Sequence, residues 1–166
     1  MLIALQNIRK LGYRRPLLVL PRTHDRVSLH AWWAAYLWYI RSHSQMEEIP
    51  VLCEKMNSIR TFGNALSKHQ PDVVIATLPT VCEWLRRLGR RVPQDIGFVW
   101  VGGDGQDPEL TQIDQRPRMV GEAAIDMLIS QIQSNEKGPP ECPHITMVEG
   151  VFQKGNTVCV QGSRLK

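Results

Sequence analysis

The side chains that could bind a ligand are concentrated in four polar stretches of the sequence. Each stretch lies at the end of a short apolar segment, and the four comprise residues 20–26, 53–56, 77–80 and 102–105. They contain arginine, aspartate, histidine and threonine, whose donors and acceptors can hydrogen-bond a small polar molecule. The sequence has none of the patterns that typically transform a substrate, such as G-x-S-x-G, H-E-x-x-H or G-x-x-x-x-G-K-S/T. We therefore expect binding rather than catalysis.

The sequence predicts neither a metal site nor a cofactor. His24 and His30 are six residues apart, which fits neither the i, i+4 spacing on a helix nor the usual spacing of zinc ligands. The four cysteines form no C-x-x-C pair, so we expect reduced and mostly buried thiols. The glycines of residues 102–105 could surround a phosphate, but the lysine and the serine or threonine that would contact a nucleotide are absent.

Arginine pairs and tryptophans raise the question of nucleic-acid binding, because cations attract phosphates and aromatic rings stack on bases. The formal net charge is only +4, and the arginines of residues 86–91 lie near the end of a predicted helix, where cations complement the helix dipole. We therefore expect no direct contact between this chain and DNA. Trp33 and Trp38 cannot share the helix face of Trp32 at about 100° per residue. At least one of these rings should contact another surface, most simply that of a protein.

The elements that must position these side chains alternate between helices and short apolar strands. Apolar residues recur with the helical period over residues 2–11, 26–42, 57–68, 81–88 and 117–134. Uninterrupted apolar runs predict strands at residues 17–20, 51–52, 73–76, 96–101 and 145–148. This alternation is typical of α/β proteins, and we predict three αβα layers around a mostly parallel, doubly wound sheet. Ligands of such sheets bind at the carboxyl ends of the strands, where the polar stretches lie.

Length and composition are those of one ordinary globular domain. The chain has 166 residues, 43% of them apolar and 22% charged, which is enough to bury a core. Its longest apolar run, residues 31–40, is half of the roughly twenty residues that a membrane-spanning helix needs. The amino terminus has neither a basic leader nor a small-residue cleavage site. These features favour a cytoplasmic protein with no membrane partner.

Three stretches of the chain, in this order, resemble the regulatory domain of lac-repressor-type transcription factors. They are A-L-x-x-I-x-x-L-G-Y-R-R at residues 4–15, P-D-V-V-I followed by L-G-x-x-V-P-x-D-I within residues 71–96, and I-D-Q-x-P-x-x-V-G-x-x-A at residues 113–124. The resemblance implies a type I periplasmic-binding-protein-like fold. In that fold two α/β lobes close on a small effector, commonly a sugar or a nucleoside.

The resemblance also implies how the chain is divided. Residues 1–166 would be a partial effector-binding domain of a homodimeric regulator whose DNA-binding head lies outside this chain. Residues 16–114 and 143–158 would form the second lobe, and residues 1–12 and 117–135 would be helices of the otherwise missing first lobe. The apolar faces of those helices should then pack on each other or on a second copy of the chain. An extracytoplasmic solute-binding receptor of the same fold is the alternative interpretation.

Three residues match positions with a role in the family. Arg26 aligns with an arginine that hydrogen-bonds sugar hydroxyls, and its planar guanidinium suits hydroxyls or a carboxylate. Its alternative role is to cap the loop. Met56 falls where the family often has an aromatic stacking residue. Gln115 matches a glutamine at the crossover between lobes, which can reach the cleft or bond the backbone.

Two positions depart from the family pattern. The Asn-Asp expected after the third strand is Thr77-Leu78, and the aspartate expected after the fourth strand is a glycine at 102–103. A carboxylate that accepts hydroxyl hydrogen bonds is a main source of sugar affinity. We therefore expect that Asp104 or Asp25 replaces it, or that the effector is not a sugar. The candidate effector-binding residues are Asp25, Arg26, Met56, Thr77, Asp104 and Gln115.

Overall fold

A five-stranded sheet organises the structure, which is a computed structural model that describes residues 1–53, 58–138 and 142–162. The strands are β1 (Pro16–Val19), β2 (Val73–Ala76), β3 (Gly97–Gly103), β4 (Gln112–Asp114) and β5 (Val151–Gln153). They are neighbours in sequence order, with β1 to β4 parallel and β5 antiparallel to β4. The predicted mostly parallel sheet is confirmed.

Helices cover both faces of this sheet. They are α1 (Leu2–Lys10), α2 (Arg22–Val27), α3 (Ala31–Arg41), α4 (Ile59–His69), α5 (Thr80–Arg87) and α6 (Pro117–Gln133). Because successive strand residues point to opposite faces, Leu18 and Ile75 pack in a core with α1 and α3, whereas Leu17 and Val74 pack in a core with α4 and α5. Every residue of β1 and β2 is buried. The three-layer αβα prediction is therefore confirmed.

The single helix predicted over residues 26–42 is instead two helices with a turn between them. Leu29 and His30 both have positive φ, at 49° and 63°, which ends α2 and begins α3. Asp25 holds this turn: its carbonyl oxygen accepts hydrogen bonds from the His30 amide at 2.9 Å and from the Ser28 hydroxyl at 3.0 Å. Side-chain and turn hydrogen bonds of this kind compete with helix continuation, which the apolar periodicity alone does not reveal.

The weaker strand predictions fail at the edges of the sheet. The predicted strand at residues 51–52 is a single bridge between Val19 and Leu52. The prediction at residues 145–148 is wrong, because Ile145 and Met147 are 87% and 88% exposed and the strand lies later, at β5. Strand β4 was missed because it has only three residues, too few to show a pattern. Its register is fixed by pairing with both neighbours.

The first and last helices are packed very differently. Ala4, Leu5 and Ile8 of α1 are fully buried against α3 and the sheet. In contrast, α6 has no buried residue, although Ile125 and Leu128 are apolar and more than half exposed. Thus α1 does not need α6 to cover its apolar face. None of the described helices is both long enough and apolar enough to cross a membrane.

Candidate ligand-binding site

An open cavity of about 600 Å³ lies beside the carboxyl end of β1. It is formed by α2, α3 and the segment that follows the bridge at Leu52, and this volume is ordinary for a small-molecule site. Its lining comprises Arg22, Asp25, Arg26, His30, Trp33, Ala34, Leu37 and Cys53. Two of the candidate residues, Asp25 and Arg26, therefore lie at one cavity, as expected for the carboxyl edge of a parallel sheet.

The polar wall of this cavity is organised around Asp25. This side chain is 4% exposed, and its Oδ2 lies 2.6 Å from Nδ1 of His30, whose side chain is 70% exposed. The other carboxylate oxygen, Oδ1, is buried and has no hydrogen-bond partner among the described residues. Because one oxygen is taken by His30 and the other is inaccessible, Asp25 presents little free acceptor capacity to a ligand.

The charges of this wall also act on the Cys53 thiol. Burial raises its pKa, the Asp25 carboxylate raises it further, and the Arg22 cation lowers it. A raised pKa keeps the thiol protonated and unreactive at neutral pH. We therefore regard Cys53 as part of the cavity wall and not as a nucleophile.

Thr77 lies at the next strand end, where its polar groups are already in use. Its hydroxyl is 2.8 Å from Nδ1 of His24, and its carbonyl oxygen accepts a hydrogen bond from Trp100 Nε1 at 3.2 Å. These bonds tie the carboxyl ends of β1, β2 and β3 to one another. Thr77 is 6% exposed and does not line the cavity. His24 was visible in the first polar stretch, whereas no sequence signal pointed to Trp100.

Asp104 and Gln115 lie farther along the same edge and bond the backbone. Asp104 is exposed, and its Oδ1 accepts a hydrogen bond from the Gln106 amide at 3.1 Å. The Gln115 side-chain amide donates to the Val101 carbonyl oxygen at 2.9 Å. Neither residue lines the cavity beside β1. Gln115 thus adopts the backbone-bonding alternative, and Met56 lies outside the described residues.

Metal binding finds no support in the part of the chain that the structure describes. Within residues 1–53, 58–138 and 142–162, no group of three or more His, Cys, Asp and Glu side chains is arranged to hold a metal ion. The His30–Asp25 pair supplies only two such ligands, and His24 bonds Thr77 instead. The arrangement of the site is that of a binding surface with cationic and apolar walls.

A second cavity, of about 500 Å³, lies at the opposite, amino-terminal edge of the sheet. Its walls include Arg90 and Asp95, but Asp95 is already bonded through both carboxylate oxygens to Arg91. None of the five candidate residues that the structure describes contributes to it. The carboxyl-edge cavity is therefore the candidate site.

Comparison with known proteins identifies the class to which this fold and site belong. Residues 5–151 match the family model of the periplasmic binding protein-like domain. This match covers most of the chain, so the chain belongs to the periplasmic binding protein-like domain family. None of the curated proteins compared with the chain matches it.

Solved structures of transcriptional regulators have the same fold. A LacI-family transcriptional regulatory protein from Corynebacterium glutamicum superposes with a TM-score of 0.71 and 17% identity, over 96% of this chain and 65% of its own. A LacI-family regulator from Enterococcus faecium with bound ribose has a TM-score of 0.66 and 19% identity, over 96% and 62%. A dimeric Lac repressor has a TM-score of 0.74 and 18% identity, over 96% and 60%. The chain thus spans less than two thirds of the length of these similar structures.

Proposed function

We propose that this chain is the effector-binding part of a cytoplasmic, DNA-binding transcriptional regulator, and that it is not an enzyme. The observation that carries the proposal is the cavity at the carboxyl edge of β1, which places Arg26 and Asp25 together in a ligand-binding family. The fold shared with LacI-family regulators supports the regulatory role. Ribose in one of those structures makes sugars and nucleosides the first effector classes to test.

In this proposal the effector acts by shifting a conformational equilibrium. A ligand that contacts α2 and α3 stabilises the arrangement in which their side chains surround it, and only this difference in affinity between states can be transmitted. Coupling free energies of this kind are typically about 1–3 kcal/mol, or roughly 5- to 150-fold in affinity. DNA would be contacted by a head domain outside this chain.

We also propose that the regulator is a homodimer and that it divides into lobes as predicted from the sequence, except at residues 1–12. Residues 16–114 and 143–158 would form one lobe, and residues 117–135 would pack elsewhere. Supporting this, α6 exposes Ile125, Leu128, Ile129 and Ile132, which form an i, i+3, i+4, i+7 stripe. A stripe of this kind is normally covered. The burial of α1 against α3 argues that residues 1–12 are also part of the lobe described here.

Sedimentation velocity at increasing protein concentration tests the self-association. We expect a concentration-dependent dimer that Ile129→Glu weakens, because a charge in an apolar interface is costly. Glu122→Gln, which changes an exposed residue of the same helix, is the control. A monomer at high concentration would contradict association of this chain through α6.

Titration calorimetry with a panel of monosaccharides and nucleosides tests the binding site. Arg26→Ala should weaken the binding of any ligand held in the cavity roughly tenfold or more, because it removes charge-assisted hydrogen bonds. Arg86→Ala is the matched control, since Arg86 is exposed on α5 and does not line this cavity. Unchanged affinity in Arg26→Ala would remove Arg26 from the site.

A further inference from the structure

Two cationic side chains and one carboxylate line the cavity beside β1. The cations are Arg22 and Arg26, and the carboxylate is that of Asp25. His30 bonds one oxygen of that carboxylate, and the other is buried out of contact with solvent. The groups left for a ligand on the polar wall are therefore mainly the two arginine side chains.

Both arginines are exposed and available. Within residues 1–53, 58–138 and 142–162, no carboxylate lies within ion-pair distance of either guanidinium, and neither donates a hydrogen bond to the protein. The cation of Arg22 acts on the Cys53 thiol, which lines the same cavity, so its charge lies at the cavity. Arginine presents five donors in a planar fork that matches the two oxygens of a carboxylate.

Helix α3 gives the cavity an apolar wall. Trp33, Ala34 and Leu37 lie on consecutive turns of α3 and line the cavity together. A neutral sugar is bound mainly through hydroxyl groups, and this wall offers those groups no partner. Of the other polar groups at this edge, the Thr77 hydroxyl bonds His24, and neither Gln115 nor Asp104 lines this cavity. The carboxylate that the family resemblance led us to expect is replaced by glycine at 102–103.

We propose that the effector of this site is an organic anion with an apolar body, whose anionic group is bound by Arg22 and Arg26 and whose body packs against Trp33 and Leu37. This inference rests on the proposed function and specifies the ligand class of the same site. Charge-assisted hydrogen bonds from the arginines supply the specificity for the anion, and the apolar wall supplies contact area. A planar carboxylate and a phosphate share this chemistry.

The experiment compares ligands that share a phenyl ring and differ in the attached group, which is anionic or neutral. We would titrate the 166-residue chain with benzoate, phenyl phosphate and benzyl alcohol, by calorimetry and by tryptophan fluorescence. The two anions should bind at least tenfold more tightly than the alcohol, and added salt should weaken them selectively. Tighter binding of phenyl phosphate than of benzoate would assign the natural group as a phosphate, and the reverse order as a carboxylate. Both orders support the inference.

Matched variants locate the binding. Arg22→Gln and Arg26→Gln should each weaken benzoate roughly tenfold while leaving benzyl alcohol unchanged, and Arg86→Gln should change neither. Trp33→Phe should reduce the fluorescence response to benzoate. Both arginines of the cavity are exposed, so their variants should unfold at the same urea concentration as the original chain.

The outcomes separate the two proposals. If a neutral sugar or nucleoside binds through Arg26 and the anions do not, the anionic effector is overturned while the proposed function stands. If both Arg→Gln variants bind benzoate as tightly as the original chain does, the assignment of the site is overturned. If no anion binds the chain, this inference is overturned, and if the neutral panel also fails, the effector-binding function of the chain falls with it.

Discussion

Two buried tyrosines of α3 differ in whether the hydroxyl has a hydrogen-bond partner, and this difference tests how the helix is held on the sheet. Tyr36 and Tyr39 are 0% and 2% exposed. The Tyr36 hydroxyl lies 2.7 Å from the Pro16 carbonyl oxygen and 3.1 Å from that of Ile49, so it ties α3 to the start of β1. The Tyr39 hydroxyl is buried with no hydrogen-bond partner among the described residues. The two Tyr→Phe changes therefore remove the same atom, which is hydrogen-bonded at Tyr36 and without a partner among the described residues at Tyr39.

We expect Tyr36→Phe to lower the free energy of unfolding by about 2 kcal/mol, because it removes a buried hydrogen bond and leaves carbonyl oxygens unsatisfied. Burial also raises the pKa of Tyr36, which is the signature of a hydroxyl held in its neutral, donating form. Tyr39→Phe should cost close to nothing or stabilise slightly, because it removes a buried polar atom that has already lost its hydration. At roughly 2–4 °C per kcal/mol for a chain of this size, Tyr36→Phe should lower Tm by about 4–8 °C.

Urea unfolding followed by tryptophan fluorescence and by far-ultraviolet circular dichroism measures both changes. The m value should stay constant, so that the shift of the midpoint reports stability directly. Equal midpoints for the two variants would refute the assigned hydrogen bonds. A larger loss of unfolding free energy in Tyr39→Phe than in Tyr36→Phe would show that the Tyr39 hydroxyl, and not that of Tyr36, stabilises the fold. Because α3 carries Trp33 and Leu37, loosening it should also weaken benzoate binding at the cavity.

Two further tests address the packing between β3 and β4 and the loss of stability at low pH. A Cβ at Gly103 would lie 2.8 Å from Cβ of Gln112, which is fully buried and bonded to Asp107 and Gly105. Gly103→Ala should therefore lower the free energy of unfolding in urea by about 3–5 kcal/mol, whereas Gly121→Ala, in open space on α6, should raise it by about 0.5–1 kcal/mol. Equal effects of the two variants would contradict the packing at Gly103. Hydrogen bonds from Arg91 lower the pKa of Asp95 to about 2, so the Asp95 carboxylate stabilises the fold above its unfolded pKa, and this stabilisation is lost as the pH falls from about 4 towards 2. Arg91→Gln should raise the pKa of Asp95 in a carboxyl NMR titration and flatten the pH dependence of stability over this range. An unchanged pKa would exclude Arg91 as the cause.

Local sequence patterns were sufficient to predict a strand where both of its faces are buried. The runs that became β1 and β2 are continuously apolar and bounded by proline or polar residues, so no other element fits them. The helix predicted at residues 117–134 became α6 within one residue at its end, because Pro117 favours a first helical turn and the apolar period is long. Patterns failed where a strand has only three residues, as in β4, and where a short apolar segment remains exposed to solvent, as at residues 145–148.

The candidate site was predictable only in part. The polar stretch after β1 contains Asp25 and Arg26, which the rule that ligands bind at carboxyl strand ends singles out, and both line a cavity in the structure. Thr77, Asp104 and Gln115 follow the same rule, yet they bond His24 or backbone groups instead of lining that cavity. Which polar group is free depends on the partners around it, and those partners lie up to 53 positions away in the chain, as for His24 and Thr77.

The sequence by itself determined the alternation of strands and helices, the parallel sheet and the family, because apolar period and motif order are properties of neighbouring residues. Only the tertiary structure decided that Trp33 and Leu37 line the same cavity as Arg22 and Arg26. That arrangement requires the turn at residues 28–30, where Asp25 holds Leu29 and His30 at positive φ and redirects α3. A change of direction set by a few hydrogen bonds leaves no periodic trace in the sequence, yet it determines which walls the ligand meets.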